Sequence, residues 1–230
     1  MFFDPMYLLF IAPGLALSLW ASWRVKSAFK KYSKVRSARG LTGAEAAAEM
    51  LRYAGISDVK IVRHRGMLTD HYNPTNKTLA LSEQVYDSTS IAAIGVATHE
   101  AGHAVQHARN YAPLWVRSAL VPTASIGSSM GYMVMLFGLI MSSTQMVLVG
   151  AVLFSAVLLF QIVTLPVEFN ASNRAKALVV EDGIVTAQER QGIDRVLNAA
   201  ALTYVAAAIS TLLTLLYFLM RSGLLGGRRN

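Results

Sequence analysis

Ser118–Val167 reads SALVPTASIGSSMGYMVMLFGLIMSSTQMVLVGAVLFSAVLLFQIVTLPV, without one charged residue. Crossing a bilayer takes about 20 apolar residues, so the run is long enough for two spans. The tetrad Ser142-Ser143-Thr144-Gln145 offers a tight turn between them, predicting spans at Ala119–Met141 and Met146–Leu165. Outward from this hairpin, Met6–Trp23 is also free of charge and carries Tyr7, Trp20 and Trp23 near its ends, where interfacial aromatics belong. Pro13 and Gly14 mark a kink there, which membrane helices tolerate. Asp4 precedes this run and the basic residues follow it, the reverse of a secretory signal, so it is expected to stay as an anchor. A fourth span is expected at Ala199–Met220, with its Ser and Thr hydroxyls turned back onto their own helix.

Composition agrees. Hydrophobic residues make up 54% of the chain and charged ones 15%, against about 25% charged in a soluble domain. There is no cysteine, which excludes disulfides, thiol catalysis and Cys-ligated metal, and leaves His, Asp and Glu to hold any ion. The net charge of +8 does not signal nucleic acid, because the basic residues gather beside apolar segments rather than on one folded face. Arg24, Lys26, Lys30, Lys31, Lys34, Arg36 and Arg39 follow the first span. The positive-inside rule therefore puts the N-terminus outside and Arg24 onward in the cytoplasm, where the Lys26–Arg39 run would anchor to anionic lipid. Arg221, Arg228 and Arg229 pull the other way, but with less charge.

The expected architecture is a mainly α membrane protein of about four transmembrane helices with a small α+β, zincin-like cytoplasmic catalytic region. Its divisions are 1–23 (anchor), 24–117 (cytoplasmic region), 118–167 (two-span hairpin), 168–198 (second part of the catalytic region) and 199–230 (last span and basic tail). Within 24–117, Thr42 with Glu45 forms a capping box opening a helix that Gly55 ends. Val59–Arg63 and Thr78–Ser82 alternate like short strands, with a turn near Asn73–Lys77 between hairpin or meander strands. Ser90–Arg109 reads as an Ala-rich helix.

That helix carries His99-Glu100-Ala101-Gly102-His103, an H-E-x-x-H pattern. Residues four apart share a helix face, so His99 and His103 can grip one zinc ion while Glu100 serves as general base toward a water activated by the metal. Three of the chain's five histidines fall within nine residues, which argues against coincidence. A catalytic zinc needs a third protein ligand. His107 has drifted about 80° around the helix from His99, and six residues after His103 stands Arg109; His107 is read as a supporting or surface residue. Glu168, at the end of the double crossing, returns to the starting face of the membrane. A helix beginning there would aim it at the metal, giving His99, His103 and Glu168 as ligands of one Zn²⁺ per chain.

The motif helix, together with Thr69-Asp70-His71-Tyr72-Asn73-Pro74 and Lys77-Thr78-Leu79-Ala80-Leu81-Ser82, resembles the YugP-like neutral zinc metallopeptidases of bacterial membranes, over essentially the whole chain. More distantly it is similar to the HtpX and CAAX-prenyl-protease group, whose downstream E-[FY]-x-A-D matches Glu168-Phe169-Asn170-Ala171, with Ser172 in place of Asp. The resemblance implies a multi-pass zinc endopeptidase acting on peptides or proteins, membrane proteins among them, in which Ser172 or Asn173 stands in for the Asp that orients a ligating His. Thr78–Ser82 is either the edge strand that pairs with extended substrate or an ordinary strand of the sheet. His71 and Tyr72 either stabilise an oxyanion or decorate the turn. Two rival readings fit the motif less well. A site-2-type intramembrane protease would carry the motif inside a span and take a later Asp from an apolar segment, whereas Gln106, His107, Arg109 and Asn110 follow the motif here. A scaffold or transporter with a structural zinc leaves the intact Glu100 unexplained.

Overall fold

The computed structural model describes residues 5–66 and 68–225. Asp4, Arg228 and Arg229, which entered the reading of topology, lie outside the described residues. The chain forms two compact units: the described residues of Met1–Ala21, Trp115–Leu165 and Leu202–Asn230 in one, and Ser22–Leu114 with Pro166–Ala201 in the other. Among the described residues four helical stretches are long and apolar enough to cross a bilayer: Pro5–Tyr32, Ala112–Ile140, Thr144–Glu181 and Ala187–Arg221.

The helix α1 (Pro5–Tyr32), in the first unit as far as Ala21, runs unbroken through Pro13. Next come α5 (Ala112–Ile126), a π-helical turn (Gly127–Gly131) and α6 (Tyr132–Ile140). The turn falls where two glycines let backbones meet: a Cβ on Gly131 would sit 2.7 Å from the Phe154 nitrogen, and one on Gly127 2.3 Å from the Leu153 carbonyl oxygen. The helix α7 (Thr144–Glu181) begins after the expected Ser-Thr turn, where Ser142 takes a positive φ of 54°. Met135, Val147, Tyr217 and Phe218 are buried at the centre of this unit, while Leu9, Ile140 and Val152 stay 71%, 65% and 64% exposed. Such apolar exposure fits hydrocarbon contact, not water. One expectation fails in the last helix, α8 (Ala187–Arg221). Thr214 does bond back to the Ser210 carbonyl, at 2.8 Å, but the Ser210 hydroxyl donates to the Gly14 carbonyl at 2.9 Å and meets Ser18 Oγ at 3.0 Å. It ties α8 to α1 because Gly14, lacking a Cβ, lets α8 come close.

The second unit holds α2 (Gly43–Tyr53), β1 (Lys60–His64), β2 (His71–Asn73), β3 (Thr78–Ser82), α3 (Glu83–Tyr86) and α4 (Ile91–Ala108), with the C-terminal part of α7 and the N-terminal part of α8. Both halves of the capping box at α2 form: Glu45 N–H to Thr42 Oγ1 at 3.2 Å, and Thr42 N–H to Glu45 Oε2 at 2.8 Å. The strand order is β1-β3-β2, with β1 parallel and β2 antiparallel to β3. Thr78–Ser82 is therefore the central strand and cannot be the edge that receives substrate; its amides are already committed on both sides. Residues Leu79, Leu81, Met50, Ile94 and Ile193 are fully buried around α4, each contributing roughly 1.5–3 kcal/mol.

Two boundaries differ from the sequence reading for identifiable reasons. No new helix starts at Glu168: α7 continues through Pro166 to Glu181. A proline removes one helical bond without ending a helix whose neighbours hold it. Similarly, α8 starts twelve residues before the expected span, at a second capping box in which Glu189 N–H bonds Thr186 Oγ1 at 3.2 Å and Thr186 N–H bonds Glu189 Oε2 at 2.8 Å.

Gly150 packs its α-carbon face on α6, where a Cβ would lie 2.5 Å from the Met135 nitrogen and 2.8 Å from the Gly131 oxygen. Gly150→Val should therefore lower stability by about 1–3 kcal/mol or more, read as a drop in the Tm of detergent-purified protein.

Candidate metal centre

Ser90 caps α4, its hydroxyl accepting from the Ala93 N–H at 3.2 Å. The helix is apolar on nearly every side because it is buried on nearly every side: Ala92, Ala93, Ala97 and Ala101 have no exposed surface. The small residues set the distance to α7. A Cβ on Gly102 would stand 2.7 Å from the Ala171 carbonyl oxygen, so the helices approach at backbone contact there.

This approach delivers α7 side chains to the α4 histidines. Glu168 Oε2 lies 3.2 Å from His99 Nε2 and 3.6 Å from His103 Nε2. Donor atoms of the three residues all fall within 4.8 Å of one another. The rings meet edge to face, 4.8 Å between centroids. Glu168 is 2% exposed and His103 6%.

The far side of each imidazole is held too. Ser172 Oγ lies 3.1 Å from His99 Nδ1, while Asn173 is exposed. Gln106 Oε1 lies 2.9 Å from His103 Nδ1. The Gln106 amide nitrogen donates to the Val167 carbonyl at 2.8 Å and to Asn170 Oδ1 at 3.0 Å. With its nitrogen facing two acceptors, its oxygen must face a donor, so His103 carries its proton on Nδ1 and turns the Nε2 lone pair to the centre. Arg174 Nε donates to the same Asn170 oxygen at 2.7 Å. Neither Gln106 nor Asn170 emerged from the sequence as part of the site. Gln106 carried a signal, standing three residues after His103 on the same helix face; Asn170, inside the resemblance, had none pointing to this role.

The electrostatics favour a cation. Burial disfavours the charged form of His103, but its bond to Glu168 and the charges of Glu100 and Glu168 outweigh that and hold its pKa above the ordinary imidazole value. Glu100 is itself buried. Two buried carboxylates beside two imidazoles need positive charge, and a divalent ion balances both. A tetrahedral centre with bonds near 2 Å separates its donors by roughly 3.3 Å, against the 3.2 and 3.6 Å found from Glu168 to the two rings. Two His nitrogens and a carboxylate are a donor set that zinc accepts while keeping a position open.

The other sequence candidates fall elsewhere. His107 Nδ1 lies 2.8 Å from the Tyr72 hydroxyl and is not in the three-residue cluster. Burial, with the Asp58 charge, pushes the Tyr72 hydroxyl up to about 12. His71 is exposed, its Nδ1 2.8 Å from the Thr69 carbonyl. Asp70 accepts from the Ser82 N–H at 2.7 Å and from its hydroxyl at 3.0 Å, so the conspicuous turn residues lock β2 to the end of β3.

A family model described as "Putative neutral zinc metallopeptidase" matches residues 7–223. A protein of Bacillus subtilis (strain 168) described as "Putative membrane protease YugP" is 46% identical over 215 residues, 94% of this chain and 96% of that protein. No solved structure matches the chain.

Gln106→Leu and Ser172→Ala should each weaken zinc binding about 10–100-fold, measured by competition with a chromophoric chelator. Glu168→Ala should strip the metal nearly as completely as His99→Ala, while His107→Ala leaves occupancy unchanged.

Proposed function

The chain belongs to the neutral zinc metallopeptidase family, and from that membership we propose that it is a membrane zinc endopeptidase with one Zn²⁺ per chain. The observation that carries this reading is the convergence of His99, His103 and Glu168, whose donor atoms all lie within 4.8 Å of one another. When bound, zinc supplies Lewis acidity and makes a water acidic enough to give up a proton near neutral pH. Glu100, in the motif beside His99, takes that proton as the water oxygen bonds to the peptide carbonyl carbon. It then hands the proton to the departing nitrogen as the C–N bond breaks. Ser172 and Gln106 keep the two imidazoles turned inward during turnover.

With β3 central, β2 becomes the strand offered to an extended peptide. It is an edge of the sheet among the described residues, and Tyr72, on β2, reaches His107 on the motif helix. Main-chain hydrogen bonds along that edge would hold substrate without demanding a particular side chain. The basic run after the first span supports a multi-pass protein of the cell membrane with its site on the cytoplasmic face, acting on peptide or protein substrates that include membrane proteins. The helix that carries the two histidines is not among the four stretches long and apolar enough to cross a bilayer, which favours this reading over an intramembrane site-2-type protease.

Glu100→Gln should keep full zinc content and lose about 10²–10⁴-fold in kcat for hydrolysis of a casein or quenched-peptide substrate. Zinc retained with no hydrolysis by the unaltered protein would leave a structural metal instead. A cysteine replacing exposed Thr75 should react with an impermeant maleimide in inverted vesicles and not in intact cells; labelling of intact cells would reverse the orientation.

A further inference from the structure

A second pair of histidines lies outside the metal centre, on the three-stranded sheet. His64 pairs with Ser82 and His71 with Ala80, on either side of β3. Side chains two apart on a strand share a face, so both imidazoles rise from one face, diagonally across Ala80 and Ser82. Leu79 and Leu81 point the other way, fully buried in the core around α4. The small side chains on β3 let the two rings meet edge to face, 5.5 Å between centroids and 82° between planes. Both histidines are exposed.

Thr69 fixes how the two rings present themselves. Its carbonyl oxygen lies 2.8 Å from His71 Nδ1 and can only accept, so that nitrogen carries a proton. Its hydroxyl donates to the Arg65 carbonyl at 3.2 Å. The hydroxyl oxygen, 3.2 Å from His64 Nδ1, therefore accepts from that ring as well. Each neutral imidazole is thus the Nδ1–H tautomer with its lone pair on Nε2, and among the described residues nothing bonds to either Nε2. A metal-ligating histidine is held in the same way, its other nitrogen bonded to an oxygen. An ion about 2 Å from two nitrogens at the tetrahedral angle would hold the ring centroids roughly 5 Å apart, close to the spacing found. Asp70, whose carboxylate accepts from the Ser82 N–H and hydroxyl, adds negative charge at the same corner of the sheet. We propose that His64 and His71 form a second metal site for one exchangeable divalent ion of the zinc, nickel or copper kind, with water completing its shell. Imidazole suits these ions, whereas magnesium and calcium take oxygen ligands. Bound there, the ion ties β1 to β2 across β3.

The test is isothermal titration of the full-length, tag-free protein in detergent, carrying its own zinc, with added Zn²⁺ or Mg²⁺. One further equivalent of Zn²⁺ should bind, and none of Mg²⁺. His64→Ala and His71→Ala should each weaken that binding at least about tenfold, and Thr69→Val, which removes only the hydroxyl behind His64, by about tenfold. Because all three residues are exposed, each variant should keep the zinc with which the unaltered protein is isolated. No further equivalent at millimolar Zn²⁺, equal uptake of Mg²⁺, or an affinity that survives both histidine substitutions would overturn the proposal.

Discussion

Backbone contact between α4 and α7 is the constraint on which the candidate centre depends. At Gly102 the two helices come so near that a single methyl group would press on the Ala171 carbonyl. Only at that spacing can a short carboxylate from one helix stand between two imidazoles of the other, and a serine one turn later reach the back of the first ring. The cost of such an approach is lost side-chain packing at the crossing, and it is offset by the alanines and isoleucines buried on the remaining faces of α4. The polar centre is thus embedded in the buried core of its unit, where a buried carboxylate and its partners have little freedom to relax.

The hydrogen bonds around the centre form a directed chain. Arg174 donates to Asn170, Gln106 donates to Asn170 and to a backbone carbonyl, and the remaining Gln106 oxygen orients His103. An amide is well suited to the middle position because it presents a donor and an acceptor at fixed geometry. The chain also explains why a helix otherwise filled with small apolar residues accommodates a fully buried glutamine. His99, by contrast, relies on the single hydroxyl of Ser172, a partner that can either give or take a proton.

Much of this was readable from the residues. Charge-free runs announced four helices, because nothing but hydrocarbon tolerates such stretches. Thr42-Glu45 marked a helix start through local bonding that needs no tertiary context. The meeting of His99, His103 and Glu168 followed from spacing on one helix and the return of the chain after the long apolar hairpin. What escaped was set by packing between distant segments. Strand order is invisible in a five-residue alternation, so Thr78–Ser82 could read as an edge when it is the centre of the sheet. A new helix was expected to begin at Glu168, where surrounding structure instead sustains α7. Ser210 looked like a residue turned on its own backbone until a glycine on another helix proved close enough to receive it.

The continuity of α7 has a further implication. Glu168 and Ser172 sit on an uninterrupted 38-residue helix, where each added or deleted residue turns everything beyond it by about 100° and shifts it by about 1.5 Å. Length variation upstream of Glu168 within this helix would swing the carboxylate off the imidazoles, whereas the short connections at 109–111 and 182–186 can lengthen without moving it. Among natural variants of this protein, insertions and deletions should be confined to those connections, and the interval between the Ser-Thr turn and Glu168 should keep a constant length even where its apolar residues interchange freely.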